Sequence, residues 1–435
     1  MKRTIISLLS AAVLLWTNTA SAQSKNTTEE LMVDGYKVIY KPTTNQIVSV
    51  RLFVKGGTAN YTKDKEGVEN LALEIATNGG TSKYSKSDLN RQLDRMGSSI
   101  SGSSGLDNAN VAMSCIARNF DATWAIFEDV INAPLFSEEE FKMQKDAMVS
   151  NVQQGKSDPD TYLNDMAMND AFVNLNYDKK TNGSEESLVK ITLDDVKNHY
   201  KMVMNKKQTF IVVVGKIDKA QLIEKVKKMV RSMPEGNFTP VKGTLLTINS
   251  STLNPEDRKM ATNYIRGVIN GPAYGTNESY AMQLAFGILY DRLFDEIRTK
   301  RSLSYAPAAY YQSNVNPCSN VYVTTTDPAQ AVQVIIDELK KVKTEGFTET
   351  EISNQKSSYV TTYYMGLETN AAQSNGLGNA EVKGSWKNYG DFISNINKVP
   401  AKEVNAVVKK YVNGIRWSYL GDLSKVKSDV FLQKL

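Results

Sequence analysis

The sequence predicts an α+β fold of two similar halves in tandem, each an α/β sandwich with a mostly antiparallel sheet and helices on one face. The first observation behind this prediction is an internal repeat. The pattern F-[S/T]-E-x-E-apolar-x-x-Q-K occupies residues 136–145 and recurs at 347–356, at an offset of 211. Ser137 and Thr348 stand at equivalent N-cap positions with Glu in the turn that follows, so both copies predict the start of a helix.

Two further correspondences extend the repeat over both halves. Asn110-Val111 and Asn320-Val321, at an offset of 210, each introduce a strand-like run that is followed by a helical pattern. Each half then closes with a helix and a buried strand, at 210–215 in the first half and at 417–421 in the second. Strand runs followed by helix runs predict helices packed on a largely antiparallel sheet.

Local patterns predict the elements of the first half and the connection between the halves. Residues 47–54 alternate in part between apolar and polar side chains, which predicts a strand, and 69–77 and 87–96 predict helices. Prolines and glycines give residues 234–256 the composition of a linker. The sequence therefore predicts a first half at 23–233 and a second half at 257–435, with a cleft between them.

The N-terminal residues have the pattern of an export signal. Lys2 and Arg3 precede a short apolar run at 5–16, and Ala20-Ser21-Ala22 places small residues at the usual cleavage spacing. The apolar run is too short for an unstrained membrane span, and no later stretch is long and apolar enough for one. We expect the signal, residues 1–22, to be removed after Ala22 and the mature chain to be exported, most simply to a bacterial periplasm.

Charge and cysteine content exclude some classes of protein. The 52 Lys and Arg and the 47 Asp and Glu residues are interspersed along the chain, whereas a nucleic-acid interface needs clustered basic residues. Cys115 and Cys318 lie one in each predicted half. Two separate buried thiols are the favoured interpretation, and a disulfide between them is left open.

The content of catalytic residue types argues against self-contained hydrolysis. A catalytic zinc site needs three good donors, usually His with a carboxylate, and this chain has one histidine, His199. We interpret His199 as a solvated or half-buried residue of a polar helix. A serine or cysteine triad would need that same histidine as its base, and the chain has neither a C-x-x-C pair nor a G-x-S-x-G elbow.

The order of motifs in the first half resembles that of the pitrilysin/insulinase zinc peptidases. Those proteins have a strand ending in glycine, a helix with the inverted zinc motif H-x-x-E-H, a G-T turn and a second helix. A further segment precedes the helix that carries their third ligand. The matching stretches here, in the same order, are Val50–Gly57, Gly67–Glu74, Gly79-Gly80-Thr81, Leu89–Gly97 and Ala133–Phe136. The resemblance spans most of the mature chain and implies that the chain forms half of a clamshell.

The departures from the family pattern fall on the zinc site. Asn70 and Glu74 stand where the two histidines would be, Leu73 where the catalytic Glu would be, and Asn151 near the position of the third ligand. The resemblance therefore implies no metal and no cofactor in this chain. Asn70 and Glu74 share a helix face at i, i+4, so a weak oxygen site is an alternative, but ordinary helix packing is favoured.

The second half keeps a different part of the family pattern. Residues 297–305, I-R-T-K-R-S-L-S-Y, are similar to the family stretch L-R-x-K-x-x-L-[G/A/S]-Y. The resemblance implies that Arg298 binds the substrate backbone and that Tyr305 donates to the oxygen of the scissile carbonyl, both in the active site of another half. The alternatives are an arginine at a helix C-terminus and one more strand aromatic.

Together these features suggest a division of labour between two chains. A homologous zinc-bearing partner would hold zinc and the base, and this chain would add Arg298, Tyr305 and chamber wall to a heterodimer that degrades peptides. We expect no peptidase activity from the chain alone. Two alternatives stay open: a structural subunit with no role in catalysis, and a protein that binds peptides without cutting them, as a homodimer.

Overall fold

Two β-sheets organise the chain, one in each half. The computed structural model describes residues 28–435, so the predicted signal, 1–22, lies outside the described residues. The sheet of the first half has six strands: β1 (Glu29–Val33), β2 (Tyr36–Pro42), β3 (Ile47–Lys55), β4 (Ser99–Ser104), β5 (Asn108–Ile116) and β6 (Thr209–Gly215). The sheet of the second half has five: β7 (Thr252–Asp257), β8 (Asn263–Asn270), β9 (Ala308–Gln312), β10 (Cys318–Thr325) and β11 (Arg416–Gly421).

Helices follow the strands in both halves. Those of the first half are α1 (Val68–Asn78), α2 (Lys86–Met96), α3 (Phe120–Asn132), α4 (Glu138–Ser157), α5 (Pro159–Ala171), α6 (Glu185–Lys190), α7 (Leu193–Val203) and α8 (Lys219–Val230). Those of the second half are α9 (Asn277–Leu293), α10 (Pro328–Glu345), α11 (Glu349–Gly366), α12 (Asn370–Val382), α13 (Lys387–Gly390), α14 (Phe392–Lys398) and α15 (Ala401–Tyr411).

The strand order of the two sheets confirms the tandem α+β fold. The first sheet runs β1-β2-β6-β3-β5-β4 and the second runs β7-β11-β8-β10-β9, so the second repeats the first without an equivalent of β1. Both sheets are antiparallel except where β2 pairs with β6 and β7 with β11. One side-chain contact recurs as well: Arg51 donates to the Asn110 side chain, and Arg266 donates to that of Asn320.

The repeated motif begins equivalent helices, as the sequence predicted. Ser137 accepts a hydrogen bond from the Glu140 backbone N–H at the start of α4, and Thr348 accepts one from that of Glu351 at the start of α11, both at 3.2 Å. The lysine that ends the motif also has one role in both copies. Lys145 donates to the carbonyl of Ile191 and Lys356 to that of Val399, which attaches each helix to the segment before α7 or α15, the helices that precede β6 and β11.

The central strands of each sheet are buried on both faces, and the two halves exchange one helix to achieve this. In the first sheet, Val50 and Leu52 face the helices of their own half, whereas Phe53 and its neighbours on the opposite face pack against Leu377 of α12. In the second sheet, α5 packs on β8 and β11 from the face opposite to that half's own helices. Because α5 and α12 occupy equivalent places in the repeat, the exchange is nearly symmetric.

The connection between the halves is shorter than predicted. Residues 252–256 were expected to belong to the linker, but they form most of β7, which pairs in parallel with β11. Pro255 contributed to the prediction that this stretch belongs to the linker. A proline is tolerated in β7 because β7 is an edge strand, where a residue without an N–H group need not cost a hydrogen bond between strands.

Two other features concern the chain as a whole. None of the helices within residues 28–435 combines the length and hydropathy that a bilayer span requires. Cys115 and Cys318 are free and buried, in agreement with the interpretation as separate thiols, and burial raises the pKa of each thiol to about 11.

The exchanged helix α12 gives a test of the packing between the halves. A Cβ at Gly378 would lie 2.0 Å from Cε2 of Phe53, whose ring stacks on Phe210 with centroids 5.1 Å apart. We expect Gly378→Ala to lower the free energy of unfolding by about 1–3 kcal/mol through overpacking, measured by urea denaturation. Gly366→Ala, the same change in α11 with no heavy atom within 4 Å of the new Cβ, is the control. Equal unfolding midpoints for the two variants would contradict this account.

Candidate functional site

The degenerate zinc-motif positions lie on α1, a helix held between two glycines and the core. Gly67 precedes it with φ 89°, and a Cβ there would come within 2.9 Å of the Cα of Gly183. Only glycine tolerates both the left-handed backbone and this close approach. Along α1, Leu71, Ala72 and Ile75 are buried in the first core. The helix therefore has the position that the resemblance predicts, packed on its own sheet.

The three motif positions on α1 have structural partners. The Asn70 side chain donates to Oδ1 of Asn182 at 3.2 Å. Leu73 is 1% exposed and packs against β4, where a Cβ at Gly102 would lie 2.8 Å from it. Glu74 is half-buried and accepts from Asn78 at 2.9 Å, and burial raises the pKa of its carboxyl group. Each of the three therefore has an ordinary role within the helix or against its neighbours.

The fourth position, Asn151, borders a cavity of about 390 Å³. We call this the polar cavity: it is lined by parts of α4 and α5, by Gly105 and Leu106, by Tyr177 and residues 179–183, and by Gln312 of the second half. Asn182, the partner of Asn70, lines the same cavity. The structure thus brings Asn151 and the Asn70–Asn182 pair to one place, whereas Leu73 lies in the core away from it.

Lysines give the polar cavity most of its charge, and each is held by a partner. Lys180 pairs with Asp165 at 2.6 Å, and Lys156 pairs with Glu185 at 2.6 Å. Lys179 donates to the backbone carbonyl of Tyr61 at 2.7 Å, and burial lowers the pKa of its amine. Amides and paired amines make a surface suited to hydrogen bonding with a polypeptide backbone, not a set of metal ligands.

No group of three or more His, Cys, Asp or Glu side chains within residues 28–435 is arranged to hold a metal ion. The donor chemistry explains this for the zinc motif. Asn70 offers an amide, Leu73 offers nothing, and Asn151 offers another amide, so Glu74 is the one carboxylate among the four positions. The residues present do not fit the three-ligand zinc site of the family that the sequence resembles.

The lone histidine is buried, which corrects the interpretation of His199 as solvated or half-buried. Its side chain is 5% exposed, and its Nε2 lies 3.3 Å from Oε2 of Glu69, which is also buried. Asn60 donates to the same carboxylate at 2.7 Å and Ser104 donates to its other oxygen at 3.0 Å. Helix α7 packs on α1, so the polar sequence around His199 describes only the outer face of α7.

Arg298 and Tyr305 lie together at the surface of the second half. The Cζ of Arg298 is 4.2 Å from the ring centroid of Tyr305 and 4.8 Å from that of Phe294, so the guanidinium stacks between two rings. Tyr305 is 78% exposed. Within residues 28–435, no carboxylate lies within 4 Å of the Arg298 guanidinium, so its donors are free for another group.

A change from α-helix to π-helix at the end of α9 determines the position of Arg298 and Tyr305. After α9, residues 294–299 form a π-helical turn, and the chain then turns at Ser302, whose φ is 53°. Ile297 is buried and its carbonyl accepts from the Leu303 N–H at 2.9 Å, which closes the turn. Anchoring through Ile297 directs Arg298 and Tyr305 outward. π-Helical turns inside helices are frequent at functional sites.

Comparison with protein families identifies the family of this chain. Residues 37–185 match the family described as Insulinase (Peptidase family M16), and residues 190–359 match the family described as Peptidase M16 inactive domain. The chain belongs to peptidase family M16. This finding confirms the resemblance to insulinase-type peptidases that the sequence motifs predicted.

Relatives of this M16 chain span most of its length. An "Uncharacterized zinc protease" of Rickettsia felis is 22% identical over 83% of this chain and 86% of that protein. A "Non-peptidase homolog YmxG" of Helicobacter pylori is 20% identical over 87% of this chain and 90% of its own length. Relatives of the M16 chain thus carry names of both kinds, for a peptidase and for a protein that is not one.

Solved structures share the fold of this M16 chain. A peptidase M16 inactive domain from Pseudomonas fluorescens superposes with a TM-score of 0.83 at 15% identity, over 92% of this chain and 100% of that one. The periplasmic protease PqqL from Escherichia coli superposes with a TM-score of 0.76 at 12% identity, over 97% of this chain and 49% of PqqL. At these identities the likeness shows the fold, two M16-like α+β halves in tandem.

Sequence reasoning missed the carboxylate that partners the histidine of this M16 chain. Glu69 and His199 are 130 residues apart in the sequence. Glu69 immediately precedes Asn70, the first position of the degenerate zinc motif. The available signal was weak, because Glu69 is one of several polar residues in α1. Its burial against His199 shows that this part of α1 joins the helix to α7.

The buried pair makes a prediction about stability. Glu69→Ala removes the acceptor of the Asn60 and Ser104 side chains and the neighbour of His199, and should lower the free energy of unfolding by about 1–3 kcal/mol, measured by chemical denaturation. Asn70→Ala, on the next residue, loses a single exposed hydrogen bond and is the control, expected within about 0.5 kcal/mol of the parent chain. A Glu69→Ala chain as stable as Asn70→Ala would refute a structural role for the pair.

Proposed function

We propose that this M16 chain is the non-catalytic subunit of a heterodimeric zinc metallopeptidase that degrades peptides. A homologous chain with an intact H-x-x-E-H motif holds the zinc and the base. This chain supplies one wall of a closed chamber, together with Arg298 and Tyr305 as groups that act on the substrate. The mature chain works in the bacterial periplasm after removal of residues 1–22.

One observation carries this proposal: the asymmetry between two regions that match the family pattern. Two of the three zinc-ligand positions carry an amide and the position of the catalytic Glu carries leucine, whereas the Arg298–Tyr305 pair matches the pattern, with Tyr305 exposed and Arg298 without a carboxylate partner in the described chain. A purely structural subunit has no need of an unpaired guanidinium beside an exposed phenol. Burial of both side chains in the second core would have left the proposal without support.

The chemistry of the pair suits a peptide substrate. The planar guanidinium offers a fork of N–H donors that matches a peptide carbonyl or a terminal carboxylate. Stacking on Phe294 and Tyr305 limits the directions in which that fork can point. The phenol of Tyr305 can donate a hydrogen bond to an oxygen that becomes negative as the peptide bond is attacked, which stabilises the transition state in a site closed to water.

The comparison with PqqL supports the two-chain arrangement and the location. This chain corresponds to about half the length of PqqL, a protein whose name describes it as a periplasmic protease. A second chain of similar length would complete an assembly of that size. The predicted export signal agrees with a periplasmic location.

A structural subunit without a role in catalysis is the alternative, and the relative named a non-peptidase homolog favours it. In that case the polar cavity would serve to bind peptides or to contact the partner, and Arg298 and Tyr305 would be surface residues. The two functions differ in what happens to the partner's activity when the pair is changed.

The test is reconstitution with a zinc-bearing M16 chain from the same organism and a quenched fluorescent peptide. Tyr305→Phe should lower kcat by about a hundredfold or more, as loss of an oxyanion donor does elsewhere. Arg298→Ala should raise KM about tenfold, since it removes a charge-assisted hydrogen bond to the substrate. Each chain alone should be inactive.

Matched controls use the same residue types at nearby exposed positions. Arg301→Ala removes an arginine that pairs with Glu296, and Tyr364→Phe changes an exposed tyrosine on α11. Both should leave kcat and KM of the reconstituted pair unchanged. If Arg298→Ala and Tyr305→Phe behave like these controls, the structural alternative is correct.

A further inference from the structure

A second cavity, of about 370 Å³, lies in the second half, between α9, α11, α12 and the end of β9. We call it the tyrosine cavity because six tyrosines line it: Tyr274, Tyr280, Tyr311, Tyr359, Tyr363 and Tyr389. Its volume falls within the range of small-molecule sites, which are mostly apolar with a few placed polar groups. The degenerate zinc motif and the Arg298–Tyr305 pair are not part of it.

The tyrosine cavity is the counterpart of the polar cavity in the internal repeat. The polar cavity is lined by α4 and α5, and the tyrosine cavity by α11 and α12, the equivalent helices of the second half. Both cavities reach the end of β9, where Gln312 lines the first and Tyr311 and Ser313 line the second. Equivalent places in the two halves therefore have cavities with different linings.

Hydrogen bonds fix the walls of the tyrosine cavity in place. The Tyr311 hydroxyl donates to the carbonyl of Pro272 at 2.6 Å, and the Tyr359 hydroxyl donates to that of Gln283 at 2.9 Å. The Tyr280 hydroxyl accepts from Asn395 at 3.0 Å. Rings held in this way lose little freedom when a ligand binds, so the cavity is organised in advance for a flat or apolar body.

One charged side chain lies among the residues that line the tyrosine cavity. The Nζ of Lys383 is 4.2 Å from the ring centroid of Tyr274 and donates to the carbonyl of Ser313 at 2.8 Å. Neither Asp nor Glu lines the cavity, and across residues 28–435 no carboxylate lies within 4 Å of this amine. Burial lowers the pKa of Lys383 to about 8, and the charge of Asp107 opposes that shift. The amine is therefore desolvated without a counter-ion in contact.

We propose that the tyrosine cavity binds an aromatic or apolar ring that carries a carboxylate, with the ring among the tyrosines and the carboxylate on Lys383. A cationic ligand would meet the amine as a like charge. A neutral ligand would bury the amine further without pairing it, which costs free energy. A carboxylate supplies the missing counter-ion, and charge-assisted hydrogen bonds are among the strong ones.

Two sources offer this chemistry: a free aromatic carboxylic acid, and the C-terminal residue of a peptide that ends in an aromatic side chain. In both, a ring stands a few bonds from a carboxylate. The inference goes beyond the proposed function, because it concerns this chain alone and needs neither the partner nor cleavage.

Calorimetric titration of the full mature chain, without a partner, tests the site. The probes are 3-phenylpropionate, its neutral amide, and a short peptide ending in phenylalanine as the free acid or as the amide. We expect 3-phenylpropionate to bind about tenfold more tightly than its amide, since the amide cannot pair with Lys383. Tight binding of the free-acid peptide as well would identify chain termini as ligands; binding of 3-phenylpropionate alone would identify small acids.

Variants separate the role of the amine from that of the rings. Lys383→Met should remove the preference for acid over amide without weakening amide binding, whereas Lys383→Arg should keep the preference. Gly366→Phe should weaken both probes, because Gly366 lines the cavity and a Cβ there meets no heavy atom within 4 Å, which leaves room for the ring to occupy ligand space. Thermal unfolding verifies that each variant folds. Equal affinity for acid and amide in the parent chain, or no binding at millimolar concentrations, would overturn the proposal.

Discussion

Each sheet of this protein has two apolar faces, and the helices of one half cover only one of them. The second face of each sheet is covered by a helix from the other half, α12 on the first sheet and α5 on the second. β6 illustrates the need, since all its residues are buried and its side chains alternate between the two cores. Neither half could bury its apolar surface alone, so the halves form one folding unit and the cavities next to α5 and α12 depend on it.

The same exchange organises the two candidate binding surfaces. The polar cavity lies beside α5 and the tyrosine cavity beside α12, and both reach the end of β9. Duplication gave two equivalent places, and side chains then made them different. Asn151 and paired lysines line one, whereas six tyrosines and an unpaired Lys383 line the other. A duplicated fold can in this way lose metal chemistry at one place and still offer a distinct surface at another.

The positions on α1 that match the zinc motif have structural roles in this chain. Leu73 fills core space against β4, and Glu74 accepts from a neighbour one turn along. Glu69 has become the centre of a buried network with His199 and Asn60, which joins α1 to α7. Helix α1, which carries three of the positions that match the zinc motif, is here a packing element, and Arg298 and Tyr305 lie together on the second half.

The sequence by itself determined the repeat, the two α+β halves, the N-caps at Ser137 and Thr348, and the absence of a zinc ligand set. These features depend on residue type and on short periodicities, both of which are visible in short stretches of sequence. Only the tertiary structure decided which half covers which face, that His199 is buried against Glu69, that Pro255 lies in an edge strand, and that Lys383 and six tyrosines line one cavity. Those outcomes arise from packing between segments that are far apart in the chain. The spacing of residues in the sequence does not reveal that packing.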